Sequence, residues 1–142
     1  MKLRIGLLAA TGVWTVIGIS AAHAGILNFE AQLKGPSASQ STAAHARGEV
    51  NAMLDTDRRL LEYTVTYSGL SGPAVSAGFE AGGSAAVVVA PAADKSHSIH
   101  GVAELTDAQI SDLAAGRWSF DIRTSANPNG ELHGQVRRTS NF

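Results

Sequence analysis

Few side chains in this 142-residue chain could do chemistry, and their spacing narrows what they could do. There is no cysteine. A thiol nucleophile, an iron–sulfur cluster, a disulfide framework and a cysteine zinc site are therefore excluded. The histidines are His23, His45, His97, His100 and His133. His97 and His100 lie three apart, so on a strand they point to opposite faces and cannot chelate one ion together. His133 stands at even spacing from Glu131 and Gln135 and shares a strand face with both, a face that reads as solvated rather than metal-binding. The carboxylates Asp55, Asp57, Asp94, Glu104, Asp107, Asp112, Asp121 and Glu131 are scattered. Glycoside hydrolysis needs two of them facing each other across roughly 5–10 Å, and no spacing here argues for that. The chain also lacks a Gly-x-Ser-x-Gly elbow, a His-Glu-x-x-His helix and a phosphate loop. Asp55-Thr56-Asp57 opens like a calcium loop but lacks its later glycine and final glutamate, so it reads as a turn. No catalytic residue, cofactor or metal ligand is assigned.

The elements that would position these residues are mostly short alternating segments. Leu27, Phe29, Ala31 and Leu33 alternate with polar residues, the period of a strand with one buried face. Gly48, Val50, Ala52 and Leu54 repeat the pattern, as do Leu61, Tyr63, Val65 and Tyr67. Residues 55–58 are few enough to join the latter two strands as a hairpin. After a small polar loop over 35–42, further strands are predicted at 75–79, 85–90, 97–105, 118–122 and 132–136. Trp118, Phe120, Tyr63 and Tyr67 are assigned to the core, because a small β domain needs its large side chains inside. TDAQISDLAA, residues 106–115, breaks the period and predicts one short helix. Thr106 and Gln109 are placed to form a capping box. Asp107 suits the first turn, Ile110, Leu113 and Ala114 share a face, and Gly116 supplies the stop. Asn127-Pro128-Asn129-Gly130 reads as turn chemistry. About eight strands with connections this short predict an antiparallel sandwich.

The first residues set the compartment. Lys2 and Arg4, an apolar run over 7–19, and Ala22-His23-Ala24 have the three-part layout of a secretory signal peptide, with cleavage expected after Ala24. That leaves 118 residues, 25–142, as one domain. It carries nine basic and twelve acidic residues, a net charge of −3, which gives no electrostatic case for nucleic acid or anionic membrane as partner. A terminal Phe142 is a feature of small outer-membrane barrels, but Arg138 falls on its face and the strands are shorter than the roughly 9–11 residues that span a bilayer. The chain is therefore expected to be exported, periplasmic or secreted, without stable membrane insertion after cleavage.

LEYTVTYSGLSGPA, a glycine-rich stretch, ELTDAQISDLAAGRW and SANPNGELHGQV occur in this order. With them the chain resembles the CHRD domain, a family named for chordin and found in many secreted bacterial proteins. The likeness runs from about Phe29 to Arg137. It implies an all-β, antiparallel Greek-key β-sandwich, akin to superoxide-dismutase-like or Ig-like sandwiches, with one short helix. It implies no particular activity. Relatives often carry a His-x-His pair after the SGPA segment and a further histidine before the NPxGE turn. Here those places read Gly78-Phe79-Glu80-Ala81 and Asp121-Ile122-Arg123-Thr124, and arginine cannot replace an imidazole ligand. Glu80 and Arg123 carry opposite charges and could form a guanidinium–carboxylate fork. With Glu131 they make the candidate polar cluster. The function expected is a non-catalytic binding or structural module with an extracytoplasmic protein or glycan as partner. The competing expectation is a metal-binding or redox protein on a dismutase-like sandwich, for which His100 and His133 are the residues to test.

Overall fold

The computed structural model describes residues 25–35, 45–82, 87–89 and 97–140. The alternating tracts form β1 (Ile26–Lys34), β2 (Arg47–Asp55), β3 (Leu60–Ser68), β4 (Ala74–Ala81), β5 (Val87–Val89), β6 (Ser98–Glu104), β7 (Trp118–Thr124), β8 (Leu132–Gln135) and β9 (Arg137–Arg138), with the helix α1 (Asp107–Ala114) between β6 and β7. The expected signal segment, the 35–42 loop beyond residue 35, Asp94 and Phe142 lie outside the described residues, as does the 85–90 strand apart from β5.

Every pairing is antiparallel, and the order is β5-β4-β7-β8-β1-β2-β3-β6. Lys34 pairs with His133, Glu30 with Arg137 and Phe29 with Arg138. These pairs keep one register, so β9 continues β8 along β1. The sheet thus has eight strand lines. It curls until its two halves face each other. Tyr63 of β3 meets Phe79 of β4, strands far apart in the ladder, with ring centroids 5.4 Å apart and planes at 76°. Chain segments cross between the halves from β3 to β4 and again from β6 through α1 to β7, as Greek-key connections do.

The core is the sum of the inward faces. Val50, Leu54, Leu61 and Val65 from one half meet Phe79, Trp118, Phe120 and Ile122 from the other, all buried. Full burial stabilises such a side chain by about 1.5–3 kcal/mol. Tyr63 and Tyr67 are buried as expected. The β2–β3 hairpin closes where Asp55 Oδ1 accepts the N–H groups of Asp57 (3.1 Å) and Arg58 (2.9 Å). That carboxylate performs turn chemistry.

The capping box at Thr106 and Gln109 forms, and Gly116 takes a positive φ of 73° after the helix. The face of α1 departs from the expected one. Gln109, Asp112 and Leu113 are its buried residues, Ile110 packs only partly, and Ala114 is exposed. The helix is rotated because two polar side chains have structural partners. Gln109 Oε1 accepts the Thr106 N–H at 2.8 Å, and Asp112 Oδ1 accepts from Arg117 Nε at 2.8 Å and Nη2 at 2.5 Å. Arg117 immediately precedes β7, so this pair ties the helix to the strand that carries Trp118 and Phe120.

Candidate functional site

Polar side chains gather on the outer face of β4, β7 and β8 and at the loop end beside it. The register decides who meets whom. Gly78 faces Asp121, which faces His133, and Glu80 faces Ser119, which faces Gln135. Asp121 Oδ1 lies 2.7 Å from His133 Nδ1. Glu80 is in register with Ser119, and Arg123 with Ser76. The guanidinium therefore reaches past the Gly78–Asp121 row, where glycine leaves the lane open, and Arg123 Nη2 donates to Glu80 Oε1 at 2.7 Å. The side chains of Arg123 and Glu80 are 41% and 53% exposed, which makes this a solvated surface pair. Asp121 Oδ2 and Arg123 Nε are buried and have no protein partner.

Glu131, the third residue expected in the cluster, is held elsewhere. It precedes β8 and follows Gly130, whose φ is 125°. That turn swings its side chain away from the face of His133 and Gln135, so the even spacing of 131, 133 and 135 does not place them together. Glu131 is buried while His133 and Gln135 are exposed. Glu131 Oε1 accepts the Ser71 N–H at 2.6 Å. The side chains of Thr124, Ser71 and Asn127 surround the carboxyl and favour its charged form, while Oε2 is buried without a partner. Burial pushes its pKa up, but the bonds from Thr124, Ser71 and Asn127 outweigh that and hold it below its ordinary value of 4.5. Asn127 Nδ2 further donates to Ser71 Oγ at 3.3 Å. One carboxylate, the last residue of the connection between β7 and β8 (residues 125–131), thus joins that connection to the loop between β3 and β4, residues 69–73. Glu131 is the one charged side chain in the two loops.

The other half of the sheet, β1, β2, β3 and β6, carries simpler groups. His100 on β6 lies 3.0 Å from Thr64 Oγ1 and 2.9 Å from Ser98 Oγ, on an exposed face. His97 is outside the strand, at a φ of 54°, with its ring against Tyr67. The two histidines thus do not share a site. A shallow groove of about 360 Å³ crosses β1–β3 and is lined by Asn28, Asn51, Met53, Glu62, Thr64 and Thr139. Among the described residues, no group of three or more His, Cys, Asp or Glu could hold a metal ion. Asp121 and His133 offer two ligands at most. No described helix is long and apolar enough to cross a membrane.

Sequence reasoning missed the Asp121–His133 and Asp112–Arg117 pairs. The first was within reach: once the strands expected at 118–122 and 132–136 are folded onto each other with 122 opposite 132, Asp121 falls opposite His133. The second depends on how the chain leaves α1, which no periodicity encodes.

The profile of the CHRD domain family matches residues 29–136 of the chain. Among curated proteins and solved structures, none matches.

Proposed function

The chain belongs to the CHRD domain family, and we propose that it is exported and acts as a non-catalytic binding or structural module. Its recognition surface is formed by residues 69–73 and 125–130. The observation that carries this proposal is the meeting of the two loops at Glu131, a buried carboxylate that accepts the Ser71 N–H, beside the bond from Asn127 Nδ2 to Ser71 Oγ. A surface fixed before binding loses little conformational entropy when a partner arrives. Loops on a rigid β scaffold are where such domains carry recognition. The partner is an extracytoplasmic protein or glycan.

The test is affinity capture from the exported fraction, comparing wild type with a variant whose loop tip is blocked by Asn129→Trp. A partner retained by wild type and lost by the variant supports the assignment; equal capture by both removes the loops from it. Export has its own readout. The mass of the mature chain is expected to begin at Gly25, whose N–H donates to Thr56 Oγ1 at 3.3 Å and whose carbonyl accepts from Thr56 Oγ1 at 3.0 Å. A mature chain that still begins at Met1 would overturn that part. The metal or redox alternative requires stoichiometric copper or zinc in the purified protein, lost on mutating His100 or His133.

A further inference from the structure

We propose that Glu131 is an acid-operated latch: ionised, it joins residues 69–73 and 125–130 into one fixed surface, and protonated, it lets the two loops move apart. The inference builds on the recognition surface proposed above and adds its regulation.

Three observations carry it. First, the carboxylate belongs to the β7–β8 connection, which ends at Glu131, and accepts from the β3–β4 loop: Ser71 N–H donates to Oε1 at 2.6 Å. Second, beyond the roots, where Ala74 pairs with Thr124, the side-chain link between the loops besides Glu131, among the described residues, is the 3.3 Å bond from Asn127 Nδ2 to Ser71 Oγ. Glu131 is the one charged residue of residues 69–73 and 125–131. Third, the β7–β8 loop has its own internal bonds. Gly130 N–H donates to the Asn127 carbonyl at 3.1 Å, and Asn127 N–H donates to Thr124 Oγ1 at 3.1 Å. It can therefore keep its turn while losing its hold on the neighbouring loop.

The proton enters at the carboxyl. A neutral carboxylic acid is a weaker acceptor than a carboxylate, and its own O–H needs an acceptor. The bond to Ser71 N–H is charge-assisted only while Glu131 is ionised. The surrounding ionisable groups do not replace it. On the adjoining face β7 offers Asp121 and Arg123, β8 offers His133 and β4 offers Glu80. These are already bonded as Asp121–His133 and Glu80–Arg123, each at 2.7 Å. Apart from Glu131 the two loops offer none.

The experiment is an acid titration of the purified full-length mature protein, without any partner, followed by amide NMR. The Ser71 amide proton is expected to move upfield as pH falls. The order parameters of residues 69–73 and 125–130 should fall with the same midpoint, while amides of β2 and β3 stay fixed. In Glu131→Gln, Ser71 should show about tenfold faster amide exchange at neutral pH than in wild type, the change expected from losing a hydrogen bond to a charged acceptor. Its loops should show no further response to acid. Since Asp121 and Glu80 are carboxylates too, Asp121→Asn and Glu80→Gln serve as controls that should keep the wild-type response. Loops that stay ordered through the titration, loosen at separate midpoints, or titrate unchanged in Glu131→Gln would overturn the latch. If the glutamine variant does not fold, the wild-type titration and the two controls still decide. A latch that works in a protein with no loop-dependent partner would refute the recognition surface and leave the latch standing.

Discussion

The two halves of the sheet are built differently. In the first, β1, β2 and β3 run nine residues each and pair without interruption. Their outer faces carry a shallow groove and short-range polar contacts, Thr64–His100–Ser98 across to β6 and Asn51–Glu49 within β2. In the second, β4 and β7 are shorter, and their register shifts between Ala74 and Ser76. The outer face there is linked by Glu80–Arg123 and Asp121–His133, and the loops beside it are tied by Glu131. Regular alternation is enough to build the first half. The second needs specific polar partners as well, and those partners make it the candidate for recognition.

If one core serves both halves, removing its largest side chain should affect them together. Trp118 is fully buried, with its ring 5.5 Å from that of Phe79. Trp118→Ala is expected to cost about 3–5 kcal/mol. That is a large share of the roughly 5–15 kcal/mol that stabilises a typical domain. In urea, probes on β2–β3 and on β7–β8 should lose signal at one common, lowered midpoint. Separate midpoints would show that the halves are independent.

Gly134 probes the seam where β8 lies along β1. A Cβ at this position would strike the backbone carbonyl of Gln32 and come within 2.8 Å of Leu33 Cδ2. A backbone carbonyl cannot swing aside as a side-chain tip can, so Gly134→Ala should destabilise by about 1–3 kcal/mol or more. Gly72→Ala, where nothing lies within 4 Å, should change stability little. If thermal melts find the two alike, the seam is looser than its contacts imply.

The contrast between the halves also explains what could be read from the sequence. Alternation at 27–33, 48–54 and 61–67 needs only the period of a strand, so those strands and their buried faces were legible. The helix at 107–114 was legible from its cap, because Thr106 and Gln109 are three residues apart and satisfy each other. Its buried face was not, because Asp112 turns inward to meet Arg117. For Glu80 and Arg123 the opposite charges left a contact open, and the β4–β7 register, with Gly78 in the row between them, decides it. Glu131 is different: its side-chain direction is set by the positive φ of Gly130 and by Ser71, which lies 60 residues away in the chain. A period-two pattern carries neither.

Acid should act on the loop end of the second half before it acts on the hairpins of the first. The pKa of Glu131 is lowered in the fold, so the unfolded chain takes up that proton at a higher pH than the folded one. The resulting stabilisation is complete above the ordinary value of 4.5 and is lost as pH falls through the folded value. Urea midpoints of wild type should therefore decline on acidification more steeply than those of Glu131→Gln, and the two curves should converge at the lowest pH. Parallel curves would assign the acid sensitivity to other carboxylates.

The smallest effect is expected where the sequence argument was most specific. Arg123 and Glu80 meet at 2.7 Å, yet both side chains are about half exposed. Water competes for both charges, and holding two long side chains in one geometry costs rotamer entropy. The coupling energy from a cycle of Glu80→Gln, Arg123→Met and the double variant should fall within about 0–1 kcal/mol and shrink further in salt. Arg123 has a second role: its stem lies over the Gly78–Asp121 row, and its Nε is buried. Arg123→Met keeps most of that apolar cover, whereas Arg123→Ala removes it and should cost more. If the methionine variant is as unstable as the alanine variant, the charge matters more than the cover, and the outer face of the second half depends on its ion pairs more strongly than their exposure implies.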